Sequence, residues 1–204
     1  METSRNRIEP EKFYHIYNRG INGQNIFFER NNYSFFLEKY AFYVSPFFDT
    51  YAYCLLPNHF HFLVCSKSEE AVRSYLKEKH KEKTIYWIFS NAFSSLFQSY
   101  AQSINKIHKR TGHLFERPFH RIEVNSDLYF TRLIYYIHTN PQKHGFVEDF
   151  REYEFSSYYS HLLAKSTKLK RNEVLEWFGG EKNYIQFHNR SQEIVDIQRL
   201  IIEF

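Results

Sequence analysis

The chain has 204 residues, 20% of them aromatic, and a formal net charge of +4 with 11 further histidines. This length suits one domain with a short extension, and the aromatic content with few glycines and prolines excludes a disordered chain. No stretch approaches the roughly 18 apolar residues of a membrane helix, and the first seven residues are polar, so we expect a soluble, cytoplasmic protein without a signal peptide. The positive charge is compatible with a polyanionic partner without requiring one.

The elements predicted along the chain alternate between strands and helices. We expect strands at 13–18, 49–56, 60–65 and 119–124, and helices at 33–44, 86–109 and from Ser126 to about Thr139, where Pro141 ends the last of them. This order predicts an α+β fold, an antiparallel sheet with helices packed on it. From about residue 156 short helices follow, and Ile194, Ile197, Leu200 and Ile201 predict an apolar stripe on a final helix.

Two histidines lie two residues apart on the strand after Pro57-Asn58. Side chains alternate along a strand, so His59 and His61 project from one face while Phe60 and Phe62 project from the other. Two imidazoles on one face form half of a divalent-metal site, although partly buried histidines are also common in ordinary cores. By themselves they would suit zinc, whereas an added carboxamide oxygen and a phosphate would favour Mg²⁺ or Mn²⁺.

Tyr136 and Asn140 are four residues apart and therefore share one face of the predicted helix. Asn140 supplies such a carboxamide oxygen, but an Asn before a Pro is also an ordinary helix terminator. A tyrosine beside a metal ligand suggests covalent phosphoryl chemistry on a nucleic acid, and a core aromatic is the alternative.

Basic side chains between residues 106 and 121 alternate with phenylalanines. Such a pattern is typical of single-strand binding, in which cations follow phosphates and aromatic rings stack on bases. The alternative is a basic helix end with two core phenylalanines, Phe115 and Phe119. The candidate DNA contacts here are Lys106, Lys109, Arg110, Arg117 and Arg121.

Five ordered motifs together resemble the single-tyrosine, His-hydrophobic-His (HUH) transposases of bacterial insertion sequences, and most closely the branch called REP-associated tyrosine transposases. The resemblance covers about residues 13–160. The motifs are YHIYNRG at 14–20, YCLLPNHFHFLV at 53–64, GHLFER at 112–117, YIHTNP at 136–141 and FSSY at 155–158.

The resemblance implies a ferredoxin-like or RRM-like core, residues 1–160, that cuts and rejoins single-stranded or hairpin DNA, followed by a helical extension at 161–204. His59, His61 and Asn140 match the family's metal ligands, for Mg²⁺ or Mn²⁺, and Tyr136 matches its nucleophile. Arg19 lies near the end of the family-like motif at 14–20 and is a further candidate phosphate contact. Relatives include dimers and monomers, so a homodimer is one expected assembly.

One departure from the family concerns Glu116-Arg117-Pro118, which stands where many relatives carry Gln-Gly-Arg. Two other functions remain open from the sequence. One is a non-catalytic, RRM-like module that binds single strands, and the other is a zinc-dependent hydrolase, for which no His-Glu-x-x-His spacing is present.

Overall fold

The computed structural model describes residues 7–190. Within that range the chain forms four strands and six α-helices. The strands are β1 (Phe13–Arg19), β2 (Phe48–Leu55), β3 (His59–Ser66) and β4 (His120–Val124). The helices are α1 (Arg30–Tyr43), α2 (Glu69–Leu76), α3 (Ile85–Ile107), α4 (Asp127–Lys143), α5 (Arg171–Trp177) and α6 (Glu181–Arg190).

The four strands form one sheet in the order β2-β3-β1-β4, and every neighbouring pair is antiparallel. With α1 after β1 and α3 before β4, this is the ferredoxin-like arrangement, which confirms the predicted α+β class. The β1–β3 register places Arg19 opposite His59 and Tyr17 opposite His61. The end of β1 therefore lies directly beside the histidine pair.

The two faces of the sheet are covered by different helices. Phe60 and Phe62 pack against Phe36 of α1, with ring centroids 5.4 and 6.4 Å apart. Phe97 of α3 packs against the same face, 5.5 Å from Phe60. The alternation of β3 turns His59 and His61 to the opposite face, and α4 covers that face.

Helix α4 begins as predicted, because the side chain of Ser126 accepts a hydrogen bond from the backbone of Tyr129 at 3.3 Å. The prediction that Pro141 ends it near Thr139 is wrong, since the helix continues to Lys143. A proline in the last turn removes one backbone donor, and the cost is offset where the helix face is buried. Ile137, Asn140 and Pro141 are all buried here.

The extension after residue 160 packs on the sheet face that α4 covers. Val174, Phe178 and Tyr184 belong to the same apolar cluster as Ile134 and Ile137 of α4. The predicted stripe of Ile194, Ile197, Leu200 and Ile201 lies outside the described residues. Among residues 7–190, no helix combines the length and apolar character needed to cross a bilayer.

Candidate active site

The two histidines of β3 and two side chains of α4 meet on one face of the sheet. The imidazoles of His59 and His61 have centroids 5.2 Å apart, and the ring of Tyr136 lies 5.4 Å from that of His61. Oδ1 of Asn140 lies 2.9 Å from Nε2 of His59. The structure thus brings together all four side chains that the sequence selected for metal binding and nucleophilic attack.

Each ring nitrogen of His59 faces the side chain of an asparagine. Its Nδ1 lies 2.7 Å from Oδ1 of Asn58, an oxygen that can only accept, so the proton belongs on Nδ1. Burial lowers the pKa of His59 to about 4, so the ring is neutral at pH 7. Its Nε2 therefore carries a lone pair that points at the carbonyl oxygen of Asn140.

Two acceptors facing each other at 2.9 Å require a positive partner or a rotated carboxamide. Nδ2 of Asn140 is buried without a hydrogen-bond partner among the described residues. Rotating the carboxamide would satisfy both groups, and a cation bound by both lone pairs would do the same. A spacing of about 3 Å is that of adjacent ligands around an octahedral ion with bonds of about 2.1 Å. These donors therefore fit a divalent ion such as Mg²⁺ or Mn²⁺.

His61 is oriented by a third histidine that sequence reasoning gave no role. Nε2 of His15 on β1 lies 2.9 Å from Nδ1 of His61, and both rings are buried. If His61 donates this hydrogen bond, its Nε2 keeps a lone pair for a ligand, as does that of His59. The two-residue alternation places His15 and Tyr17 together on one face of β1, but only the β1–β3 register shows that this is the face of His61.

The tyrosine hydroxyl lies in a largely dry environment. Tyr136 is only 7% exposed, and burial raises its pKa to about 12. Nζ of Lys143 lies 5.4 Å from the Tyr136 ring centroid, and burial lowers the pKa of this lysine. Tyr135 instead faces α6, where its ring contacts Phe187 and His188.

The predicted ligand set contains two imidazoles and one carboxamide. Among the described residues, no cluster of three or more His, Cys, Asp or Glu side chains is arranged to hold a metal ion. The predicted set differs from such a cluster because its third ligand is the neutral carboxamide oxygen of Asn140.

The predicted DNA contacts lie in three places. Arg19, at the end of β1, binds Glu116 with 2.7 Å between Nε and Oε1, so the residue that departs from the family pattern partly neutralises it. Lys106 lies in the last turn of α3, and Lys109 and Arg110 follow just after the helix. Arg117, in the segment before β4, and Arg121, within β4, line a groove against α3. Phe115 is buried in the core, whereas Phe119 is half-buried.

No protein-family model matches the chain. In sequence it is 27% identical over 124 residues to a protein of Haemophilus influenzae named as a REP-associated tyrosine transposase. That match covers 58% of this chain and 63% of the relative, so the chain spans less than two thirds of the relative's length.

A solved structure extends the comparison to the fold. The chain is similar to a REP-associated tyrosine transposase bound to a REP hairpin, with a TM-score of 0.62 and 14% identity, over 79% of this chain and 86% of that one. The resemblance indicated by the motifs is therefore confirmed in sequence and in fold.

Proposed function

We propose that this chain is a metal-dependent transposase or strand transferase that cleaves and rejoins single-stranded DNA through a 5′-phosphotyrosine. The observation that supports this most is the convergence of Tyr136, His59, His61 and Asn140 on one sheet face. A pure binding surface has no need for a buried tyrosine beside two imidazoles and a carboxamide.

The chemistry requires one nucleophile and a way to stabilise charge. The Tyr136 oxygen attacks the phosphorus and forms a phosphotyrosine bond, while the bond to the 3′ oxygen breaks. The phenol loses its proton and the departing 3′ oxygen gains one, so a free 3′-hydroxyl results. Attack by a 3′-hydroxyl reverses the step and rejoins DNA without a nucleotide triphosphate.

The chain's own residues hold the phosphate and its ion in place. His59, His61 and Asn140 are the ligands we assign, and a bound Mg²⁺ or Mn²⁺ would polarise the scissile phosphate. Asn58 and His15 fix the ring orientation of the two histidines from behind. Lys143, beside the Tyr136 ring, adds positive charge where the phosphate would lie.

The substrate we assign is single-stranded or hairpin DNA. The structurally similar transposase is bound to a REP hairpin, and the net charge of +4 favours a polyanion. Six basic residues supply candidate phosphate contacts, namely Arg19, Lys106, Lys109, Arg110, Arg117 and Arg121. Assembly as a homodimer remains part of the proposal.

The non-catalytic alternative shares the ferredoxin-like topology but is less compatible with the position of α4. RRM-type modules stack bases on an open sheet face. Here α4 covers the face that carries His15, Tyr17 and His61, and Tyr136 contacts two of these rings. The face is therefore closed around a small polar site.

The test is a covalent adduct between protein and 3′-end-labelled single-stranded DNA on a denaturing gel. We expect an adduct with Mn²⁺ or Mg²⁺, none with EDTA, and none for Tyr136→Phe, which lacks the attacking oxygen. Tyr135→Phe is the matched control, because the adjacent ring points about 100° away toward α6 and should stay active. An adduct that survives in Tyr136→Phe would refute the assignment.

A further inference from the structure

A series of buried hydrogen bonds joins the C-terminal extension to the far side of α4. Nε2 of His138 lies 2.8 Å from Oγ of Ser157, and Nδ1 of the same ring lies 3.0 Å from Nε2 of His188 on α6. Nδ1 of His188 lies 2.8 Å from the carbonyl oxygen of Tyr184. We call the side chains of Ser157, His138 and His188, all of them buried, the His138 network.

The direction of every bond in the network follows from its last acceptor, the carbonyl of Tyr184. A carbonyl can only accept, so Nδ1 of His188 carries the proton. Burial lowers the pKa of His188 to about 4 and holds that of His138 well below its ordinary value, so both rings are neutral at pH 7. Nε2 of His188 therefore accepts from Nδ1 of His138, and Nε2 of His138 accepts from the hydroxyl of Ser157. Only one arrangement of protons satisfies all three side chains.

The Ser157 end of the network is fixed to the sheet. The backbone N–H of Tyr53, on the edge strand β2, donates to Oγ of Ser157 at 2.9 Å. The backbone N–H of Ser157 donates to the carbonyl of Tyr53, also at 2.9 Å. Ser157 belongs to the FSSY motif at 155–158, for which the proposed chemistry has no use. Its two bonds to β2 make the sheet the fixed end of the network.

A serine beside a histidine is also the arrangement of a nucleophile and its base. Ser157 and His138 are both 0% exposed, so no substrate reaches the hydroxyl. Buried polar groups that are fully paired hold their surroundings in one arrangement. The network is therefore suited to orientation and not to a second reaction.

His138 projects from the side of α4 opposite to the two candidate site residues. Successive side chains are about 100° apart around an α-helix, so His138 lies about 200° from Tyr136 and about 200° from Asn140. A rotation of α4 about its axis would displace Tyr136 and Asn140 and would break the bonds of His138 at the same time. The hydrogen bonds of His138 therefore oppose that rotation from the far side.

The turn of α4 that carries these residues is weakened by its own sequence. Pro141 has no N–H, so the carbonyl of Ile137 loses its α-helical partner. The hydroxyl of Thr139 donates to the carbonyl of Tyr135 at 2.9 Å, and this kind of contact often bends helices. The turn thus has fewer internal constraints than a regular helix, and the bonds of His138 to other elements supply one from outside.

We propose that the C-terminal extension positions the candidate active site through the His138 network. Ser157, His138 and His188 are then positioning residues, which set the places of Tyr136 and Asn140 without touching DNA or metal. The inference rests on the proposed function for the roles of Tyr136 and Asn140, and on the hydrogen bonds for the link itself. A misplacement of about 1 Å can cost about a hundredfold in rate, so a small rotation of α4 has a measurable effect.

The first experiment compares three variants of the full chain. His188→Leu removes the acceptor for His138, whereas the amide oxygen of His188→Gln can take the place of Nε2. Val174→Ala removes buried carbon from the apolar cluster around α4 and breaks no side-chain hydrogen bond. In single-turnover adduct formation at saturating protein, we expect His188→Leu to slow the reaction about ten- to a hundredfold. His188→Gln should recover part of the rate, and Val174→Ala should keep it.

The affinity for DNA distinguishes positioning from a loss of substrate binding. Measured in EDTA with a labelled DNA hairpin, the Kd of His188→Leu should equal that of the wild type, because no DNA contact is lost. A weaker Kd with an unchanged rate at saturation would place His188 in DNA binding and overturn the inference.

A second measurement needs neither metal nor DNA. The side-chain NMR resonances of the Asn140 carboxamide in metal-free, ¹⁵N-labelled protein report its surroundings, and Asn140→Ala identifies them by their loss. His188→Leu should shift these resonances, His188→Gln should return them toward their wild-type positions, and Val174→Ala should leave them in place. Unchanged Asn140 resonances in His188→Leu would overturn the inference, whatever the adduct assay gives.

The outcomes also separate this inference from the proposed function. Absence of an adduct from wild-type protein, with Asn140 resonances that still respond to His188→Leu, would refute catalysis and retain the link. A rate that falls equally in His188→Leu and Val174→Ala would show that the extension only covers the sheet, and would overturn positioning. Ser157→Ala breaks the network at its sheet end and should reproduce the effects of His188→Leu, so it carries the same test if that variant does not fold.

Discussion

The buried hydroxyl of Tyr136 gives a quantitative expectation for how adduct formation depends on pH. Burial raises the pKa of Tyr136 to about 12. At pH 7 such a phenol is ionised in about one molecule in 100,000. If the phenolate is the attacking form, each pH unit multiplies it tenfold, and the rate should rise about a hundredfold between about pH 6.5 and 8.5.

The two histidines proposed as metal ligands should not interrupt this rise. Ordinary histidines titrate near pH 6.5, and their protonation would change the slope of the rate–pH profile at that pH. Burial lowers the pKa of His59 to about 4 and holds that of His61 well below its ordinary value, so both stay neutral over the whole range. A plot of log rate against pH should therefore be straight, with a slope of one.

The assay is single-turnover adduct formation with 3′-end-labelled DNA at saturating protein, with Mn²⁺ and ionic strength held constant. Tyr135→Phe serves as the control and should give the same slope, because its ring faces α6. A plateau above neutral pH would mean that the Tyr136 oxygen ionises far below 12. A flat profile would mean that phenolate attack does not limit the rate. Either result refutes the reasoning.

Two other predictions concern buried histidines. His15→Leu should weaken Mn²⁺ binding about 10- to 100-fold, measured by calorimetry, because His61 loses the partner that fixes its ring. His15→Gln, whose amide can reach the same nitrogen, should restore part of the affinity, and equal losses in both variants would contradict a positioning role. Burial also lowers the pKa of His161 to about 3 and of His188 to about 4, so the unfolded chain takes up protons first as pH falls below about 6.5. Urea unfolding should then show stability intact above that pH and falling steeply toward pH 4.5. These two rings contribute about 3 kcal/mol per unit, and the other buried histidines, His59 and His61 among them, add to the slope. A constant stability would show that the buried rings are not held neutral.

The sequence predicted those features that depend on a single element. A two-residue period was enough to place His59 and His61 together, and a four-residue spacing was enough to place Tyr136 beside Asn140. The antiparallel sheet with packed helices followed from the order of elements, whereas its ferredoxin-like form followed from the family resemblance. These predictions rest on local periodicity and on the order of the elements, and both can be read directly from a sequence.

Features that depend on register between distant segments were not accessible. The contact of His15 with His61 requires the β1–β3 pairing, and that of Arg19 with Glu116 requires the segment before β4 to lie beside the end of β1. The continuation of α4 through Pro141 depends on burial by its surroundings, which overrides the local breaker signal.

The proposed nucleophile and its neighbours all come from one polypeptide, and α4 is attached to α6 of the same chain through His138 and His188. One chain with one such tyrosine would hold one broken DNA end at a time. Exchanging two different ends would then require a second copy on the DNA, or a second reaction after the first end is released. The number of protein copies assembled on the strand, rather than the chemistry of a single site, would determine whether a cut is resealed or a segment is moved.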